Sequence, residues 1–123
     1  MLVDNWKNSV PFVAPEKSDA LLECDDAVVK CLHIDPGEQA KPHSHQNTVD
    51  IMVIVQGRGT ATIDGKERPV GPGDVILNPR GTLHGIRNDG SERIVWLVVQ
   101  SPPPGRAPKA RDGTQPPATY RAG

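Results

Sequence analysis

Two short stretches hold three of the four histidines of this chain. GEQAKPHSHQNTVDIMVIVQG runs from Gly37 to Gly57, and GDVILNPRGTLHGIRN runs from Gly73 to Asn88. Imidazole nitrogens and carboxylate oxygens are the groups that divalent transition metals such as iron, manganese, nickel and zinc accept as ligands. The stretches therefore predict the two halves of one metal site, with a candidate ligand set of His43, His45, Asp50 and His84.

Short strands are predicted around both stretches. Glycine and proline recur throughout residues 36–90, and valine and isoleucine (13 and 7 residues) outnumber leucine (7), a balance that favours strands over helices. Asp64-Gly65 predicts a type I′ hairpin, because both central residues of that turn need positive φ. Between such turns we predict seven strands: Val28–Asp35, Val49–Gln56, Thr60–Asp64, Glu67–Val70, Asp74–Asn78, His84–Asn88 and Arg93–Gln100.

The alternation of side chains along a strand orients the candidate ligands. His43 and His45 are two residues apart, so an extended backbone points both imidazoles to the same face. Asp50 opens an apolar strand and faces the same way as Met52 and Ile54. The alternate residues of this strand are apolar too. We therefore expect one face to line the interior and the other to pack against a second sheet or a second subunit.

Composition narrows the class of protein. A chain of 123 residues is one domain in size. Residues 1–100 carry ten basic and fourteen acidic side chains, which leaves no electrostatic footprint for nucleic acid, and no stretch is long enough to span a membrane. Cys24 and Cys31 are too few for a disulfide scaffold, and residues 1–7 lack the charge pattern of a secretory signal. We therefore expect a cytoplasmic protein with free thiols.

The spacing of the two stretches resembles the paired signatures of the cupin superfamily. The chain has the patterns Gly37-x5-His43-x-His45-x4-Asp50-x6-Gly57 and Gly73-x5-Pro79-x-Gly81-x2-His84-x3-Asn88. The resemblance covers about residues 28–100. It implies an all-β fold, namely a compact antiparallel double-stranded β-helix (jelly-roll) barrel. It also implies a divalent metal near the centre of the barrel, held by three histidines and a carboxylate, and often a homodimer.

One position departs from the family pattern, because Asp50 stands where cupins usually have glutamate. The aspartate side chain is one methylene shorter, so its carboxylate reaches about 1.5 Å less far from the backbone. Either the strand shifts inward and Asp50 is a ligand, or the three histidines hold the metal alone and Asp50 hydrogen-bonds to a ligand water. The sequence leaves both alternatives open.

The ends of the chain are less regular. We interpret residues 1–19 as an N-terminal arm, 20–100 as the barrel and 101–123 as a Pro-rich tail. Glu16–Cys24 fits strands, which we favour, or two helical turns capped by Ser18. The tail holds six of the thirteen prolines and few aliphatic residues. We expect it to be extended or disordered unless it lies across a neighbouring subunit.

The leading functional hypothesis is a metal-dependent enzyme that acts on a small polar organic molecule by dioxygenase, isomerase, decarboxylase or lyase chemistry. No catalytic residue beyond the ligands can be assigned from the sequence. The alternative is a non-catalytic module that binds or senses a carboxylate or a sugar. Candidate pocket residues suggest a mixed apolar cavity, and they are His33, Met52, Ile54 and Trp96.

Overall fold

The computed structural model describes residues 3–8 and 20–105. Within these ranges the chain has one 3-10 turn, Trp6–Asn8, and no helix long and apolar enough to cross a membrane. It also has nine strands: β1 (Ala20–Glu23), β2 (Val28–Ile34), β3 (Gln39–His43), β4 (Val49–Gln56), β5 (Gly59–Ile63), β6 (Lys66–Val70), β7 (Val75–Asn78), β8 (His84–Arg87) and β9 (Ile94–Ser101).

The strands form two antiparallel sheets that share one core. The five-stranded sheet has the order β1-β2-β9-β4-β7, and the four-stranded sheet has the order β3-β8-β5-β6. The buried cluster draws on both sheets, with Ile54 and Trp96 from the first and Ala61 and Ile86 from the second. This arrangement confirms the predicted all-β fold, an antiparallel double-stranded β-helix barrel.

All seven predicted strands are present, and each predicted end agrees with the structure to within one residue. The strand Gln39–His43 was not predicted, because Pro42 and the flanking glycine suggest a turn. It pairs with β8 with an irregular register between Ala40 and His43, which accommodates the missing N–H of the proline. In Glu16–Cys24, residues 20–23 form β1, and residues 16–19 lie outside the described residues.

The predicted hairpin at Asp64-Gly65 is confirmed. Both residues have positive φ, at 48° and 81°, as a type I′ turn requires. The Asp64 carboxylate also accepts a hydrogen bond of 2.9 Å from the backbone N–H of Leu83. The hairpin between β5 and β6 is thereby tied to the loop that precedes β8.

The inner face of the five-stranded sheet changes from apolar to polar along its length. At one end, Trp96 of β9 lies opposite both Leu32 and Ile54. At the other end, Asp50 of β4 lies opposite Gln100 and Asn78. One end of the barrel is therefore filled by hydrophobic side chains, and the other presents polar groups to the interior.

Asn88, the last residue of the second signature, closes the barrel near its apolar end. Its side-chain amide donates hydrogen bonds to the carbonyl oxygens of Ile34 and Glu92, at 3.1 and 2.8 Å. Its side-chain oxygen accepts one from the N–H of Gly90 at 3.1 Å. All of its side-chain bonds are to backbone, so Asn88 joins the end of β2 to the loop between β8 and β9.

The start of the Pro-rich tail packs on the barrel. Strand β9 runs to Ser101, one residue past the predicted boundary. Pro102 and Pro103 are buried, and the Pro102 carbonyl oxygen accepts a 2.9 Å hydrogen bond from the hydroxyl of Thr48. Residues 101–105 thus belong to the packed unit, while the rest of the tail, residues 106–123, lies outside the described residues.

A single methyl group at Gly57 is expected to destabilise the fold. A Cβ there would press on the carbonyl oxygen of Arg93 and lie 2.9 Å from the Cα of Ile94. Gly65 has the same positive φ, near 80°, but nothing lies within 4 Å of its Cβ position. We expect Gly65→Ala to cost about 1 kcal/mol through backbone conformation alone. Gly57→Ala should cost about 1–3 kcal/mol more through overpacking, measured by denaturant unfolding. Equal losses would contradict this account.

Candidate metal centre

The structure brings His43, His45 and His84 together at the polar end of the barrel. One ring nitrogen from each histidine lies within 4.8 Å of the corresponding nitrogens of the other two. The ring centroids are 4.5 Å apart for His43 and His84, 5.0 Å for His43 and His45, and 5.7 Å for His45 and His84. The two halves of the sequence pattern thus meet at one point in space.

The backbone explains this convergence. His43 ends β3 and lies directly opposite His84, the first residue of β8. His45 follows two residues later, and its carbonyl oxygen accepts a 2.8 Å hydrogen bond from the N–H of Gly81. That bond joins the loop of the second signature to the loop of the first, so all three imidazoles are fixed relative to one another.

Backbone carbonyls select the tautomer of two of the neutral rings. Nδ1 of His43 lies 3.1 Å from the carbonyl oxygen of Lys41, and Nδ1 of His84 lies 3.1 Å from that of Thr82. A carbonyl oxygen only accepts, so in the neutral ring the Nδ1–H donates and Nε2 keeps its lone pair. This is the usual way in which a protein orients a histidine whose Nε2 is to bind a metal.

Asp50 lies beside the histidines and is 2% exposed. Its Oδ1 accepts a 3.2 Å hydrogen bond from the side-chain amide of Asn78, and its Oδ2 accepts one of 3.1 Å from that of Gln100. Oδ2 also lies 3.7 Å from Nε2 of His84 and 3.9 Å from Nε2 of His45. The two amides hold the carboxylate from both sides, with one oxygen toward the imidazoles.

Burial lowers the pKa values of two of the histidines. It lowers the pKa of His45 below the ordinary value, and the nearby charge of His43 lowers it further, while Asp50 acts in the opposite direction. Burial also lowers the pKa of His84, against the opposing effect of Asp50. Both rings therefore favour the neutral form near neutral pH, which is the form that binds a metal.

The donor set fits a divalent transition metal. Two ligands about 2.1 Å from a common ion are at most about 4.2 Å apart. The distances from Oδ2 of Asp50 to the two imidazoles, 3.7 and 3.9 Å, lie within that limit. The histidine nitrogens, within 4.8 Å of one another, need to close by at most about 0.6 Å. In addition, Nε2 of His45 is buried without a hydrogen-bond partner.

A cavity of about 760 Å³ opens onto the cluster. Met52 and Trp96, two of the candidate pocket residues, are part of its wall together with Leu32, Ile86 and Val98. Ile54 is not part of the lining, because it is 1% exposed and packs in the core one row deeper than Met52. His33 is not part of it either, because the inward positions of β2 are Lys30, Leu32 and Ile34.

Two residues of the site were missed from the sequence, namely Asn78 and Gln100. Both are buried, at 0% and 6% exposure, although they are polar. The alternation of side chains along the strands could have identified both residues. Gln100 is two residues beyond Val98 and four beyond Trp96, and Asn78 is two beyond Ile76. A polar residue at the end of an inward-facing apolar series points into the same interior as its neighbours.

Two antiparallel sheets with a histidine cluster between them define the class of protein, namely a double-stranded β-helix barrel with a candidate metal site in its interior. Residues 31–100, more than half of the chain, match the sequence profile of the cupin domain. The chain therefore belongs to the cupin family.

The chain is also similar to parts of proteins of known function. Over 65 residues it is 43% identical to a gentisate 1,2-dioxygenase from Ralstonia sp., and the match covers 52% of this chain and 18% of that protein. Over 68 residues it is 31% identical to an oxalate-binding protein of Thermotoga maritima, covering 55% and 56%. The match thus spans less than a fifth of the first relative and about half of the second.

A solved structure has the same fold. An uncharacterised conserved protein with a double-stranded β-helix domain from Klebsiella pneumoniae superposes with a TM-score of 0.72, covering 81% of this chain and 89% of that one. The two sequences are 22% identical. At that level the likeness supports the fold alone.

The lowered histidine pKa values make the stability of the metal-free protein depend on pH. The unfolded chain takes up protons below about pH 6.5, where the folded chain resists them. The stabilisation by neutral His45 and His84 is therefore complete above about pH 6.5 and is lost as the pH falls through their lower folded pKa values. Denaturant unfolding in a chelator at about pH 7.5 and about pH 5.5 measures the loss. The double variant His45→Gln/His84→Gln should lose less between the two pH values, and an equal loss would contradict the assignment.

Proposed function

We propose that this cupin is a metal-dependent enzyme that acts on a small polar organic molecule. One observation carries the proposal: three histidine nitrogens and a buried, doubly hydrogen-bonded carboxylate meet at the wall of a cavity of about 760 Å³. His43, His45 and His84 would hold a divalent transition metal through ring nitrogens. Asp50 would be the fourth ligand, because its Oδ2 lies within reach of an ion shared with His45 and His84.

The residues around such a metal site have different roles. A bound divalent metal supplies a Lewis acid that polarises a carbonyl or enolate oxygen, and iron in addition supplies O2 chemistry. Asn78 and Gln100 hold the carboxylate of Asp50 in place, since each donates an N–H to one of its oxygens. Met52, Trp96 and Val98 form an apolar wall that excludes water from the reacting end of the substrate.

Dioxygenase chemistry is our first choice of reaction. The support is the 43% identity to a gentisate 1,2-dioxygenase over 65 residues, together with a ligand set that suits iron. The second candidate is non-catalytic binding of a small carboxylate. It is favoured by the similarity to an oxalate-binding protein, a relative of which this chain covers 56%. Oxygen consumption separates the two.

The freshly purified protein is expected to contain about one divalent metal per chain, measured by elemental analysis. His84→Ala should lose this metal, because one of three histidine ligands is gone. Asp50→Ala should lower the metal affinity about 10–100-fold. Oxygen uptake by the iron-loaded protein is then followed with a panel of diketones, catechols and keto acids, and we expect at least one of them to support turnover.

His33→Ala is the matched control, because His33 is a histidine outside the cavity and its variant should keep the metal. Absence of metal under all growth conditions would refute the proposed function. Unchanged metal content in Asp50→Ala would remove Asp50 from the ligand set and leave a three-histidine site. Bound iron without oxygen uptake would favour an isomerase, a decarboxylase, a lyase or the binding alternative.

We also propose that the protein is a homodimer formed through the outer face of its five-stranded sheet. Six apolar residues lie in two cross-strand rows on that face: Ile51, Val53, Val75, Leu77, Leu97 and Val99. Val75 and Leu77 are 65% and 52% exposed, and they lie on the edge strand β7. An uncharged apolar surface of this kind suits a two-fold contact with a second copy of itself.

Leu77→Lys is expected to shift the protein from dimer to monomer, because it places a charge on the exposed edge of this apolar surface. Light scattering coupled to size exclusion measures the mass. The matched control is Leu83→Lys, since Leu83 is similarly exposed, at 44%, but lies in the loop before β8. A wild-type monomer, or an unchanged dimer in Leu77→Lys, would rule out this interface.

The cytoplasmic location stays a prediction. It is supported by the two cysteines, because Cys24 and Cys31 form no disulfide in the described part of the chain. Free thiols persist in a reducing compartment and tend to be oxidised outside it.

A further inference from the structure

Lys30 occupies an unusual position on the inner face of the barrel. It belongs to β2, where the other inward residues, Leu32 and Ile34, are part of the buried core. Its cross-strand partner on β9 is Val98, and the next residue in that row is Met52 on β4. The aliphatic stem of Lys30 thus continues an apolar row, and Lys30 lines the same cavity as the three histidines.

The ammonium group of Lys30 takes part in none of the ion pairs found among residues 3–8 and 20–105. A lysine that lines a cavity without an internal anionic partner is available to pair with an anionic ligand. Lys30 and the three histidines line the same cavity, so one ligand can contact both.

The charge balance of the cavity favours an anion. Its charged side chains, the histidines aside, are Lys30, Lys41, Glu38 and Asp50, two of each sign. Glu38 is partly used elsewhere, since its carboxylate accepts a 2.6 Å hydrogen bond from the backbone N–H of Asp35. A divalent ion on the histidines would leave the cavity with two positive charges to be neutralised.

We propose that Lys30 binds a carboxylate of the substrate, so that the preferred ligands are small organic dianions. One anionic group would lie at the histidines, the second would pair with Lys30, and the carbon chain between them would lie against Val98 and Met52. This inference rests on the proposed function, because it assumes a metal on His43, His45 and His84.

The sheet geometry sets the length of such a ligand. Lys30 is two strands away from Asp50 and displaced by one row of side chains, which separates their Cα atoms by about 12 Å. The four-carbon stem of the lysine spans about half of this distance. Lys30 and the histidine cluster beside Asp50 are therefore within the span of a short dicarboxylate, and we take a five-carbon one as the probe.

The test compares two probes that differ only at the far end. 2-Oxoglutarate and 2-oxopentanoate share the 2-oxo acid group that chelates a metal, but only the first has a second carboxylate. The full chain is first titrated with Co²⁺, and the loaded protein is then titrated with each probe by calorimetry. We expect the wild-type protein to bind 2-oxoglutarate about tenfold more tightly or better, as for a hydrogen bond to a charged group.

Two variants remove the charge of Lys30, namely Lys30→Met and Lys30→Gln. Each should take up Co²⁺ as the wild-type protein does, bind 2-oxopentanoate with unchanged affinity and lose the preference for 2-oxoglutarate. Lys30→Arg keeps the cation and should keep most of the preference. Lys41→Met is the matched control, because Lys41 lines the same cavity from β3. It should retain the preference.

The outcomes separate the two claims. Wild-type protein that takes up no Co²⁺ overturns the proposed function and this inference with it, before any probe is added. Protein that binds Co²⁺ but shows equal affinity for the two probes overturns the inference alone. So does a preference that survives in both Lys30→Met and Lys30→Gln, or one that is lost in Lys41→Met.

Discussion

The buried carboxylate of Asp50 is the constraint on which the polar end of this barrel depends. A carboxylate at 2% exposure is tolerable only when its oxygens are hydrogen-bonded, and here both accept from side-chain amides. Those amides belong to Asn78 and Gln100, the two residues directly opposite Asp50 in the sheet. The register of β4 with β7 and β9 therefore does more than build the sheet. A shift of either partner by one residue would turn its amide to the other face and leave the charge unsatisfied.

This constraint divides the interior into two regions with different physical roles. The rows beyond Met52 contain aliphatic and aromatic side chains, such as Ile54 and Trp96, and supply the apolar burial that holds the sheets together. The row of Asp50 contributes polar groups, and the free energy gained by apolar burial elsewhere offsets the cost of burying them. Three buried atoms in this region have no hydrogen-bond partner: Nε2 of His45, Oδ1 of Asn78 and Oε1 of Gln100. Unsatisfied acceptors of this kind cluster where a protein has been shaped for a ligand rather than for maximal stability.

Much of the fold was predictable because its signals are local. Alternating side chains, turn glycines and the Asp64-Gly65 hairpin each depend on a few neighbouring residues, and the strand ends they predict agree with the structure. Strand β3 was not predictable in this way. Pro42 argues against a strand, and only the irregular pairing with β8 resolves the conflict. The position of His43 opposite His84 likewise depends on a pairing between distant segments, which local patterns do not specify.

Less of the candidate metal site than of the fold could be predicted from the sequence. Parity placed His33 on the same face as Cys31, but parity alone could not tell whether that face was inside, and the structure gives the inner positions to Lys30 and Leu32. The environment of Asp50 was beyond reach for a related reason. Its partners come from two other strands, 28 and 50 residues further along the chain.

Strand β7 links two surfaces that are otherwise separate. In only four residues, Val75–Asn78, it alternates between the outer apolar face and the interior, so that Leu77 and Asn78 point in opposite directions. The strand is too short to change one side without moving the other. Two constraints therefore act on the sequence of this strand, because a substitution tolerated by the outer surface must also keep the amide of Asn78 within hydrogen-bond distance of Asp50. Within the family, we expect this strand to evolve more slowly than its exposure would suggest.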